Sequence, residues 1–82
     1  MTEVTYGRLD RALRSLGFSC RLLTSEPKTR LYEHESGAMI MLPALPLERK
    51  AFPHHVDAVR GTLHNYGIAS PVDFANELEK VG

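Results

Sequence analysis

The stretch MIMLPALPLERKAFPHHVDAVRGTLHNYGI, residues 39–68, decides how this chain is read. It runs from an apolar segment ending at Pro43, through a loop punctuated by Pro46 and Pro53, into a helical pattern that Gly67 stops. Proline fixes φ and removes a backbone donor, so Pro43, Pro46 and Pro53 bracket a segment of irregular structure with a polar tip at Glu48, Arg49 and Lys50. From about Pro53, Val56, Val59, Leu63 and Tyr66 recur at helical spacing, which predicts a helix over 53–66 with those four residues on its apolar face. Gly61 lies inside that helix at a cost of about 1 kcal/mol relative to Ala, and close packing against a neighbour is the expected reason. The unbroken apolar run 38–42 predicts a strand buried on both faces, in the centre of a sheet.

Outward from this stretch the other elements follow. Leu9, Ala12, Leu13 and Leu16 share one stripe, predicting a first helix over 6–16 with Thr5 as its N-cap and Gly17 as its stop. Residues 18–23 and 29–34 read as strands separated by a Ser25-Glu26-Pro27 turn, and Ser36-Gly37 makes the tight connection to 38–42. Such short connections favour an antiparallel meander. Ser70, Pro71 and Asp73 open a third helix by a capping box with Pro at the first helical position, and Phe74 and Leu78 form its buried side. The expected architecture is α+β: one two-layer α-β-β-β-α-α sandwich with a three-stranded antiparallel sheet, spanning residues 1–82 as a single domain.

Composition bounds the function. The 82 residues are 43% hydrophobic and 24% charged, ordinary for a folded domain. No apolar run approaches the roughly 18–20 residues that cross a bilayer, so no membrane role is expected. The opening MTEVTYGRLD lacks the pattern of a signal peptide, and Cys20 is alone, so a reducing cytoplasm is the expected setting with Cys20 a buried, inert thiol. Net charge is zero, but residues 1–30 carry six bases against three acids while the remainder carries four against seven. Arg8, Arg11 and Arg14 step round the first helix by about 60° each, predicting a basic face toward solvent. With Lys28 and Arg30 they form the expected RNA-binding set; the plainer alternative is a solvated helix face.

Leu9 through Phe18 (LxRxLxxLGF), Met39 through Pro43, and Gly61-Thr62-Leu63 through Gly67-Ile68, in this order and spacing, resemble the HicA toxin family, as does the closing segment 70–78. The resemblance covers nearly the whole chain. It implies a double-stranded-RNA-binding-like fold, a bacterial toxin–antitoxin setting, metal-independent cleavage of mRNA, and restraint by an antitoxin. It also implies a catalytic histidine in a Gly-Ser-His turn at the start of the second strand. Here Pro27, Lys28 and Thr29 stand at those positions, and a threonine hydroxyl does not replace imidazole as acid or base near neutral pH.

The histidines left as catalytic candidates are His34, His54 and His55. His34 falls on the face of its strand opposite Thr29, together with Lys28 and Arg30, and the plain reading puts those two bases on the outer face of the sheet. His54 and His55 open the second helix, where adjacent side chains point about 100° apart, unlike the i,i+4 pairs of metal sites. His64 reads as an ordinary flank residue. No metal-ligand run, nucleophilic triad or phosphate-binding glycine loop occurs, so neither a metal nor a cofactor is expected. Two functions remain open: an RNA-contacting domain without the family's histidine, or a non-catalytic module that binds a small protein partner such as an antitoxin or pairs as a homodimer.

Overall fold

The computed structural model describes residues 3–81. Its elements are α1 (Tyr6–Ser15), β1 (Ser19–Leu23), β2 (Thr29–Glu33), β3 (Met39–Pro43), α2 (Pro53–Asn65) and α3 (Pro71–Lys80). The Thr5 side chain accepts the Arg8 N–H at 3.1 Å and so caps α1. At the other end Gly17 turns left-handed at φ +98°. There Gly17 N–H reaches Arg14 O and Phe18 N–H reaches Leu13 O, the paired bonds of a Schellman stop. Gly67 ends α2 the same way, through Gly67 N–H to His64 O and Ile68 N–H to Leu63 O. In α3 the capping box forms as its sequence requires, with the Asp73 N–H on Ser70 Oγ at 3.1 Å.

The three strands form one antiparallel sheet in the order β1-β2-β3, with Leu31 paired to Arg21 on one side and Met41 on the other. β2 is therefore central. The expectation of a central, doubly buried strand at 38–42 is corrected: β3 lies at the edge, with Ile40 and Leu42 buried while Met39 and Met41 are 52% and 60% exposed. Methionine is apolar on either face, so an unbroken run hid the period-two alternation of a half-covered strand.

All the core-forming sheet residues point one way. Tyr32, Ile40 and Leu42 meet Tyr6, Leu9, Ala12 and Leu13 of α1, Val59 and Leu63 of α2, and Phe74 and Leu78 of α3. Each such aliphatic or aromatic side chain contributes roughly 1.5–3 kcal/mol by leaving water. Helix α1 packs on β1, α2 on β3, and α3 against both helices. Two expectations for α2 are corrected. Tyr66 is 51% exposed, beyond the end of the apolar stripe. A Cβ on Gly61 would meet nothing within 4 Å, so no neighbour demands that glycine.

The loop 44–52 is tied down at both ends. Ala44 N–H bonds Lys28 O at 3.1 Å, while Leu47, Arg49 and Val4 oxygens accept from Gly7, Tyr6 and Ala51 at 2.7, 3.0 and 2.8 Å. Gly7 permits that approach, since a Cβ there would lie 3.0 Å from Leu47 O.

Candidate functional site

The arginines of α1 are occupied within the molecule. Arg8 Nη1 donates to Leu78 O and Arg11 Nε to Val81 O, each at 3.0 Å. The last carbonyls of a helix lack intrahelical donors and carry the negative end of its dipole, so two guanidinium groups there hold the end of α3 against α1. Ser15 Oγ adds a hydrogen bond to Glu77. Arg14 pairs with Asp10 at 3.1 Å, and that hydrogen bond raises its pKa. Asp10 is 8% exposed and also accepts the Tyr32 hydroxyl at 2.7 Å, joining α1 to β2. Burial first, then the bond to Asp10, pushes the Tyr32 phenol well above its ordinary range. Arg11 and Arg14 are exposed as expected of a solvent-facing stripe, Arg8 is half-buried, and Arg8 and Arg11 also bridge α1 to the end of α3.

Lys28, Thr29 and Arg30 sit where β2 begins. Arg30 pairs in register with Leu22 and Leu42 and points to the same side as Tyr32, which corrects its expected place on the outer face. Half-buried there, its Nε has no hydrogen-bond partner, and its Nη2 lies 3.5 Å from Leu45 O. Lys28 is exposed. The Thr29 hydroxyl donates to Pro27 O at 3.1 Å, a turn-holding bond.

His34 stands apart from His54 and His55. His34 packs on Phe18 with ring centroids 4.9 Å apart, and its Nδ1 accepts the Ser36 N–H at 3.0 Å, closing the β2–β3 turn. Its Nε2 would lie 3.4 Å from a Cβ on Gly17, so it belongs to the C-terminal end of α1. His55 belongs to the other end: its Nδ1 is 2.7 Å from the hydroxyl of Tyr6, the first residue of α1. Ten residues of helix separate the two ends by about 15 Å. One phosphodiester does not reach both as base and acid.

Around His55 the structure assembles an aromatic cluster. The Tyr6 hydroxyl also accepts the Phe52 N–H at 3.4 Å, and the His54 and His55 rings lie 4.1 Å apart. His54 stacks on Phe52 at 5.7 Å with 20° between planes, and Phe52 is 49% exposed. Partial burial, then the charge of His54, lowers the His55 pKa. Imidazoles this close leave no room for a scissile phosphate between them. Tyr6 and Phe52 were not sequence candidates; Tyr6 meets His55 across 49 positions, and no local signal reports such a contact.

Among the described residues no group of three or more His, Cys, Asp or Glu is placed to hold a metal. Nor among them is any helix long and apolar enough to cross a membrane. Cys20 is half-buried against the core, less enclosed than expected.

A surface the sequence reading did not single out is the outer face of the sheet. By register it carries Ser19, Arg21 and Leu23; Thr29, Leu31 and Glu33; and Met39, Met41 and Pro43. Leu31, 4% exposed, lies outside the main core, sheltered by its neighbours on this face. Arg21 and Glu33 form an ion pair at 3.3 Å beside it. A separate open cleft of about 400 Å³ beside the start of α2 has Val4, Ala51 and Val56 in its wall and Lys50, Asp57 and Arg60 among its charged residues. Compared with known proteins, the chain matches no family model, no curated protein and no solved structure.

Proposed function

We propose that this chain is a HicA-like domain of toxin–antitoxin type that works by holding another protein against the open face of its sheet, without cutting RNA. The family assignment rests on the motif order of residues 9–18, 39–43 and 61–68, and on an α-β-β-β-α-α succession like that family's double-stranded-RNA-binding-like fold. Fold-level likeness carries no chemistry by itself, so the function is argued from the surface.

The observation that carries the reading is the sheet face on which no helix packs, where Met39 and Met41 are exposed around the sheltered Leu31. Methionine is polarizable and adaptable, and it is favoured at surfaces that meet other proteins. Against catalysis stand Thr29 at the family's histidine position and the separation of His34 from the His54–His55 pair at opposite ends of α1.

The test is co-purification with the product of the adjacent gene. A Met39→Lys/Met41→Lys variant is expected to lose that complex while keeping the wild-type melting temperature, since both side chains are exposed. Retention of the complex by this variant would overturn the reading, and so would mRNA degradation on overexpression.

A second reading, RNA contact, is favoured by Phe52 stacked on His54 beside Arg49 and Lys50. Exposed aromatic rings next to cations serve as platforms for unpaired bases. In that case Phe52→Ala weakens binding of a structured RNA at low salt. Replacing Arg8, Arg11 and Arg14 would act mainly through stability.

A further inference from the structure

Resting on the protein-binding reading, we infer that the partner on the outer sheet face is a second copy of this chain, docked across a two-fold axis with the sheets crossed near right angles. The outward residues form a lattice fixed by the strand register. Leu31 is its centre, Ser19 and Pro43 mark one diagonal, and Leu23 and Met39 mark the other. Closed dimers are isologous, so each in-plane two-fold axis dictates which residue meets which.

An axis parallel to the strands sets Glu33 on the partner's Glu33. An axis perpendicular to them sets Arg21 on the partner's Arg21. The diagonal through Leu23 and Met39 sets Met41 on the partner's Glu33, an apolar group against a charge.

The diagonal through Ser19, Leu31 and Pro43 avoids all of these conflicts. It centres the contact over the sheltered Leu31 of each copy, sets the exposed Met39 on Leu23, and brings Arg21 of each copy onto Glu33 of the other. Each copy already pairs Arg21 with Glu33 at 3.3 Å, so the dimer closes a ring of four alternating charges on the axis. Crossed sheets are one of the two ordinary ways for sheet faces to pack. Charge complementarity of this kind fixes orientation and partner choice more than affinity.

The face is small, about 10 by 13 Å between outer strand axes and terminal residues. That is below the area of a stable interface, so the association is weak and transient.

Sedimentation equilibrium of the full chain from about 10 µM to about 2 mM reads this association directly. Wild type is expected to pass from monomer to dimer, and Met41→Lys to raise the dissociation constant at least about tenfold. Arg21→Glu alone and Glu33→Arg alone each set like charges across the axis and are expected to weaken association by a similar factor. An equimolar mixture of those two variants restores it, because every facing pair in the mixed dimer is then opposite in sign. Thermal melts of each variant confirm that folding is kept.

A wild type monomeric throughout overturns the inference, as does a dimer indifferent to Met41→Lys or a mixture that fails to associate. If wild type stays monomeric while Met39→Lys/Met41→Lys abolishes the complex with the neighbouring gene's product, the self-pairing fails and the protein-binding reading stands. If those changes leave both associations intact, both fail.

Discussion

His55 is held between a buried phenol and a second imidazole, with its Nδ1 2.7 Å from the Tyr6 hydroxyl. Burial and the field of His54 depress its pKa below the ordinary value of about 6.5. In the unfolded chain the ring takes its proton first as pH falls, so the folded state binds fewer protons. The contribution to stability is therefore complete above about pH 6.5 and is lost as pH falls through the lowered folded value. His55→Asn keeps a hydrogen-bond acceptor near Tyr6 and removes the titration. Its melting temperature is expected to fall less than that of wild type between about pH 7.5 and about pH 5.5. Equal slopes in the two proteins would show that His55 does not carry the acid sensitivity. His34 differs in its surroundings: a backbone N–H already occupies its Nδ1, and its ring closes a turn.

At the scale of the element, α2 shows how a local rule is overridden and where it is not. Pro53 begins it without a side-chain cap, since Phe52 at the N-cap position offers no polar atom. Val59 and Leu63 anchor it to the core, which is where most helix stability in a folded domain comes from. Gly61 has open space where its Cβ would be, and its φ is an ordinary helical one. Gly61→Ala is therefore expected to stabilise the protein by about 0.5–1 kcal/mol, read as a higher urea midpoint with unchanged m. A lower midpoint would mean that a neighbour does press on this position. The caps of α1 and α3 were legible from residues a few positions apart, because Thr5, Gly17, Ser70 and Asp73 act on backbone within reach of their own side chains or turns. The face each strand shows to solvent was less legible. β3 reads as uniformly apolar, and only its position at the sheet edge separates Ile40 and Leu42 from Met39 and Met41.

For the molecule as a whole, the contacts that matter join distant parts of the chain. Arg8 and Arg11 reach carbonyls 70 positions away, fastening α3 to α1. Replacing both by Met keeps the aliphatic stems and removes the donors. The double variant is expected to lose about 1–2 kcal/mol of stability, with faster hydrogen exchange across α3. Undiminished stability together with a loss of RNA affinity would return these arginines to the role first expected of them. The sequence alone determined the element order, the caps and turns and the α+β class. Each of these depends on residue type and on neighbours within one turn or one strand. Tertiary structure alone decided that Arg8 and Arg11 reach a helix end, that His34 stands apart from His54 and His55, and that one sheet face stays clear of the helices. Those outcomes depend on which surfaces meet across dozens of residues, and a side chain carries no local mark of the distant backbone it will touch.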